Sequence, residues 1–212
     1  MAKVPNEFHL LWFDPGSAAT GWAHFILDYR AFSRPEHKVM RWLKAWRCGE
    51  ITGDDHEQYT QASAMAYRAH FHPKPYVARV MVGSEGHILK QTIGSAANLL
   101  SPVRFNAVLA WEVAKHGLEL AIQNPGERGV ITADRLQAFG FHGWPNRRWV
   151  RNGRGKDAFA AMQHAVLRLR RLKADSKRHP WKLGDETSSN AYWDCDCADG
   201  KPCDLRHFKD RT

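Results

Sequence analysis

Between Phe8 and Phe13 every residue but His9 is apolar, and the run stops abruptly at Asp14-Pro15-Gly16. Such a segment lacks the alternation of a half-exposed strand and is short for a buried helix. It reads as a strand covered on both faces and ended by a turn. Asp14 therefore sits at a strand's carboxyl end.

Around this strand the remaining elements follow an α/β order. Thr20–Leu27 is rich in β-branched and aromatic residues and Lys44–Ile51 alternates loosely, so two further strands follow, with connections short enough for antiparallel neighbours. Asp54 or Asp55 can cap a helix carrying Tyr59, Ala62, Met65, Ala66 and Ala69 at helical spacing, up to the break at His72-Pro73-Lys74-Pro75. Tyr76–Ser84 repeats the pattern of the first strand and delivers Glu85 at its end. A helix over Val103–His116, a strand over Leu118–Ile122, a short helical piece near Ala133–Ala138 and a last helix from Asp157 to about Leu172 complete the pattern. On the last helix Ala158, Ala161, Met162, Ala165, Leu169 and Leu172 share one face, with Arg168, Arg170, Arg171 and Lys173 mostly elsewhere. The expectation is a mixed five-stranded sheet, three antiparallel strands then two parallel, flanked by helices. With 43% hydrophobic residues in 212, the chain can bury one sizeable core.

The formal charge of +9 favours a polyanionic partner, since Lys and Arg that neutralise phosphates release counterions. The charge is concentrated between Trp144 and Lys156. There Arg147, Arg148, Arg151, Arg154 and Lys156 are unopposed by any acid and interleaved with Trp144 and Trp149, which suits a loop that tracks phosphates and stacks bases.

In a sheet whose first and fourth strands are parallel neighbours, Asp14 and Glu85 lie at the same edge, the one where open α/β sheets bind ligands. Asp157, opening the last helix, can point toward it. Each acid alone has an ordinary explanation: a turn residue, a surface carboxylate, a helix start. Three of them at matching places point to one site. Without counter-charge they would repel, whereas divalent cations reverse that penalty, and hard oxygen donors suit magnesium or manganese. Two such ions about 3.5–4 Å apart can hydrolyse a phosphodiester without a nucleophilic side chain. No Gly-rich phosphate loop marks a nucleoside triphosphate site.

Phe13-Asp14-Pro15-Gly16 followed by Thr20-Gly21-Trp22-Ala23 resembles the opening strand-turn-strand of the RuvC family of Holliday junction resolvases. Glu85 matches that family's glutamate at the end of the fourth strand, and Lys156-Asp157-Ala158-Phe159-Ala160-Ala161 resembles its closing Asp-Ala helix motif. The likeness extends thinly over Phe8–Leu172, and its style resembles phage-encoded members. It implies a ribonuclease H-like fold and magnesium-dependent hydrolysis of branched DNA (Holliday junctions, forks) by a homodimer, in DNA recombination and repair. It also implies Asp14, Glu85 and Asp157 as the catalytic metal ligands, with manganese able to substitute. A two-fold pair of sites would nick a branched substrate twice. The family has an acid or histidine three residues before the helix aspartate, where this chain has Arg154. His87 and His164 are nearby histidines to which no role is assigned.

We expect a nuclease domain over residues 1–174 and a polar tail over 175–212. In the tail Cys195, Cys197, Cys203 and His207 offer four donors to zinc, but the spacing is less persuasive than paired Cys-x-x-Cys motifs, and a tail with reduced thiols is favoured. No run suits a membrane span or a signal peptide, which predicts a cytoplasmic protein. Two rival readings remain. One is a ribonuclease H or terminase-type nuclease in which Glu57 supplies the fourth ligand. The other is a noncatalytic DNA-binding module, to which the Arg154 departure points.

Overall fold

The structure, a computed structural model, describes residues 7–28, 43–71, 78–86, 96–138 and 155–178. Strand β1 (Glu7–Pro15) pairs antiparallel with β2 (Ala19–Asp28), which pairs antiparallel with β3 (Leu43–Thr52). On its other side β1 pairs parallel with β4 (Ala78–Glu85), and β4 pairs parallel with β5 (Leu120–Gln123). The spatial order is β3-β2-β1-β4-β5. This is the ribonuclease H-like arrangement expected from the sequence.

Helices cover both faces. Helices α1 (Asp55–Phe71) and α2 (Ala96–Ala114) lie on one side, where Ala62, Ala66, Phe105, Leu109 and Val113 pack with Leu11, Phe13, Ile51, Val80 and Val82. On the other side lie the short helix α3 (Ala133–Ala138) and the long helix α4 (Lys156–Arg178). Here Leu136, Ala161, Met162, Ala165, Val166 and Leu169 pack with Phe8, Leu10, Trp12, Phe25 and Met81. Strand β1 is thus buried on both faces, which explains its unbroken apolar sequence: alternate residues feed opposite cores. Full burial of each such side chain contributes about 1.5–3 kcal/mol.

Helix α1 starts with a reciprocal cap. Asp54 Oδ1 accepts the Glu57 backbone N–H at 2.9 Å, and Glu57 Oε2 accepts the Asp54 N–H at 3.1 Å. Helix α2 begins at Ala96, ahead of the expected Val103, and runs through Pro102. A proline this early forfeits one helical hydrogen bond, and the apolar face that follows holds the helix on the sheet. Helix α4 continues past Leu172 to Arg178. Its Arg168 was expected off the packed face and is instead buried at 4% exposure. Among the described residues no helix is long and apolar enough to cross a membrane.

Two glycines set distances that larger residues would not permit. At Gly83 a Cβ would lie 2.1 Å from the Trp12 ring, so its absence lets the indole lie flat over β4. At Gly21 a Cβ would lie 1.9 Å from the Asp157 carbonyl oxygen, so α4 begins in direct contact with the β2 backbone. The obstacle at Gly21 is backbone and cannot rotate away. Gly21→Ala should therefore push the start of α4 off the sheet and cost roughly 1–3 kcal/mol, the range for overpacking. Urea denaturation measures this, and an unchanged midpoint would contradict the close approach.

Candidate metal centre

The register Phe13↔Ser84 places the next residues, Asp14 and Glu85, abreast at the ends of adjacent parallel strands. Alternation does the rest. Phe13 and Val82 point toward α1 and α2, so Asp14 and Glu85 point the other way, toward α4. Both side chains are nearly buried, at 11% and 12% exposure. The Asn106 side-chain amide donates to the Glu85 carbonyl oxygen at 2.8 Å, and the Gly86 N–H donates to the Gln123 carbonyl at 2.7 Å, so the chain around Glu85 is held from both α2 and β5.

Helix α4 supplies the third group. His164 is fully buried and stacks on Trp12, with ring centroids 6.1 Å apart and planes inclined by 15°. Its Nε2 lies 3.0 Å from Glu85 Oε2 and its Nδ1 lies 3.0 Å from Gln123 Oε1. Asp14, Glu85 and His164 each present a ligand atom, and these atoms all lie within 4.8 Å of one another. Two carboxylates and an imidazole gathered this closely can hold a divalent cation.

Asp157 stands at the rim of this cluster and outside that 4.8 Å group. A Cβ on Gly16, in the turn after β1, would lie 3.8 Å from Asp157 Oδ2, which puts this carboxylate over the end of the strand carrying Asp14. The Asp157 backbone N–H donates to Glu50 Oε1 at 3.1 Å, so a β3 carboxylate caps the first turn of α4.

Charge at the centre is balanced from within. Arg128 lies on the 3-10 helix that follows β5 (Pro125–Val130), and its Nη1 donates to Asp14 Oδ1 at 3.2 Å and to Glu85 Oε2 at 2.7 Å. Even so, burial first and then the Glu85 carboxylate push Asp14 up to about 8, against the pull of Arg128 and His164. Asp157 is raised to about 6, by burial and then by Asp14 and Glu50. Burial lowers His164 to about 4, so at neutral pH it is a neutral imidazole with one N–H and one lone pair.

That neutrality gives His164 two useful tautomers. With the proton on Nδ1 it donates to Gln123 Oε1, and the Nε2 lone pair faces the carboxylates, ready for a cation. With the proton on Nε2 it donates to Glu85, and Nδ1 can be served by Gln123 Nε2, which is buried without a hydrogen-bond partner among the described residues, once the amide turns over.

Of the residues expected to form the site, Asp14 and Glu85 meet, and Asp157 lies beside them. Lys156 is exposed at the start of α4. Arg147, Arg148, Arg151 and Arg154 lie outside the described residues, as do His87 and the tail residues Cys195, Cys197, Cys203 and His207. Glu57 is occupied in the α1 cap. His164, Arg128, Gln123 and Glu50 were not assigned from sequence. Only His164 gave a signal, lying two turns beyond Asp157 on one helix face. Cys48 offers no competing nucleophile, because burial pushes its thiol up to about 12.

No family model matches the chain, and no curated protein matches it in sequence. Among solved structures it is similar to Thermus thermophilus RuvC in complex with a Holliday junction substrate, at 10% identity and a TM-score of 0.49, over 81% of this chain and 96% of that one. It is similar to a second Thermus thermophilus RuvC structure at 14% identity and a TM-score of 0.44, over 74% of this chain and 93% of that one. A further similarity is to the Aquifex aeolicus PPX-GPPA enzyme at 10% identity and a TM-score of 0.37, over 64% of this chain and 42% of that one.

The raised Asp14 has a thermodynamic signature. Its pKa is about 8 in the folded chain against 3.8 for the free group, so between those values the folded state holds a proton that the unfolded state has lost. Stability should fall as pH rises through that window, by at most about 1.4 kcal/mol per unit for one proton. Denaturant unfolding from pH 5 to 8.5 in a chelator measures the slope. Asp14→Asn should flatten it, and an equal slope in both proteins would contradict the burial of this acid.

Proposed function

We propose that the chain is a divalent-metal-dependent, structure-selective DNA endonuclease that acts as a homodimer on branched DNA such as Holliday junctions and forks. The observation that carries this reading is the Asp14–Glu85–His164 cluster at the carboxyl ends of β1 and β4, with Asp157 beside it. Asp14 and Glu85 would hold the ions, with Asp157 and the Nε2 lone pair of His164 as the further donors. When bound, magnesium, or manganese in its place, lowers the pKa of an attacking water and stabilises the leaving oxygen of a phosphodiester. The protein's own part is to fix the oxygens through rigid strand ends, to exclude bulk water from two nearly buried carboxylates, and to keep His164 neutral against Trp12.

The net charge of +9 and the acid-free stretch from Trp144 to Lys156 support a nucleic acid as the polyanion. In this reading Arg147, Arg148, Arg151, Arg154 and Lys156 track its phosphates. The resemblance of the Asp14 and Asp157 motifs to RuvC resolvases supports a branched substrate and a dimer. Glu57 as a ribonuclease H ligand is disfavoured by its cap at α1. The missing partner at Arg154, which motivated a noncatalytic module, is offset by His164, an imidazole supplied from further along the same helix.

The chain with magnesium or manganese should be tested in parallel on a four-way junction, a fork, a flap, a linear duplex and an RNA–DNA hybrid. Cleavage of the branched substrates is expected, and cleavage of the hybrid alone would replace this reading with a ribonuclease H. Asp14→Asn should lower cleavage by about a hundredfold or more, on the scale of losing one electrostatic stabiliser of a transition state, while leaving junction binding largely intact. Full turnover by that variant would remove the site. Neutralising Arg147 and Arg148 should flatten the dependence of log affinity on log salt by up to about 0.9 per lost phosphate contact. An unchanged slope would exclude this stretch from the DNA groove.

A further inference from the structure

The oxygens best placed to bind a divalent cation already bind a positive group. Arg128 Nη1 contacts Asp14 Oδ1 and Glu85 Oε2 together, and Glu85 Oε2 is also the atom that faces His164. A chelated magnesium ion needs such oxygens at about 2.0–2.1 Å. A guanidinium nitrogen within hydrogen-bond reach of both oxygens occupies the space such an ion would take, and it carries like charge. The two cannot use this oxygen pair at once.

The surroundings suit a side chain that leaves while its backbone stays. The 3-10 helix carrying Arg128 is tied to α4 through Glu127 and Arg171, whose carboxylate and guanidinium lie 2.8 Å apart, and the Gln163 side chain bonds the Ile131 carbonyl just beyond it. The Ile131 N–H closes the turn onto the Arg128 carbonyl at 2.8 Å. The Arg128 side chain is 32% exposed, unlike the acids beneath it, so it has a way out to solvent.

We propose that Arg128 is an internal competitor for the divalent cation, and that once displaced it binds the phosphodiester lying over the loaded site. The inference rests on the metal-dependent reading above. In the unloaded state the guanidinium hydrogen-bonds both acids and offsets charge that would otherwise be buried beside them uncompensated. In the loaded state it stays within one side-chain length of the scissile phosphate, as a planar donor fork suited to two phosphate oxygens.

The test measures Mn2+ binding directly, by calorimetry or by the paramagnetic resonance of free Mn2+, on the full chain without DNA. Arg128→Gln and Arg128→Met, two neutral variants of which one folded form suffices, should bind Mn2+ about tenfold or more tighter than the parent, as expected when a charged hydrogen-bond pair no longer has to be broken. The same variants should unfold at lower temperature in a chelator and gain more from added Mn2+. In cleavage assays the half-saturating Mn2+ should fall while the maximal rate also falls, a split that a merely structural role would not produce. Equal Mn2+ affinity in parent and variants would overturn the competition. An unchanged maximal rate would overturn the phosphate role. Absence of Mn2+ binding in every form would overturn the metal centre itself, and this inference with it.

Discussion

Two carboxylates sit side by side at the ends of the two parallel strands that meet at the middle of the sheet, each with little access to water. Buried like charges at this distance are unfavourable unless a proton, a cationic side chain or a metal ion offsets them. The other groups of the centre answer that requirement. Arg128 bridges the pair, His164 reaches over it, and Asp14 is pushed toward keeping its proton. A protein selected only for stability would place apolar residues there, as it does one position earlier with Phe13 in β1.

The fold was readable because its signals are local and repeated. The unbroken apolar run of β1, the turn residues after it and the alternation of strands with helices dictate which strands can neighbour which. Adjacency of β1 and β4 then brings Asp14 and Glu85 together without knowledge of any side-chain contact. Boundaries were less readable. The apolar pattern starts this helix at Val103, yet α2 begins at Ala96 and accommodates Pro102, because packing of Phe105, Leu109 and Val113 on the sheet outweighs one lost hydrogen bond. Arg168 looks like a surface residue by charge, but its position on α4 is covered.

The rest of the centre was illegible for a different reason. Arg128 lies 114 positions from Asp14 in a stretch, Pro125–Val130, that reads as an unremarkable turn. Nothing in that stretch says which way its arginine faces. His164 has the right spacing from Asp157, but a helical histidine acquires meaning only when Trp12 lies under it and Glu85 and Gln123 flank its nitrogens. Glu50 is another case: its value depends on Gly21, its register partner on β2, admitting the start of α4 against the strand. These are tertiary coincidences, and periodicity carries no record of them.

The close seat of α4 on Gly21 also bears on the order of synthesis. Strands, turn and 3-10 helix leave the ribosome well before the segment that contributes Asp157 and His164. Until that segment docks, the nascent chain presents Asp14, Glu85 and Arg128 without the imidazole or the last carboxylate. The donor set of the centre is therefore completed only when α4 docks.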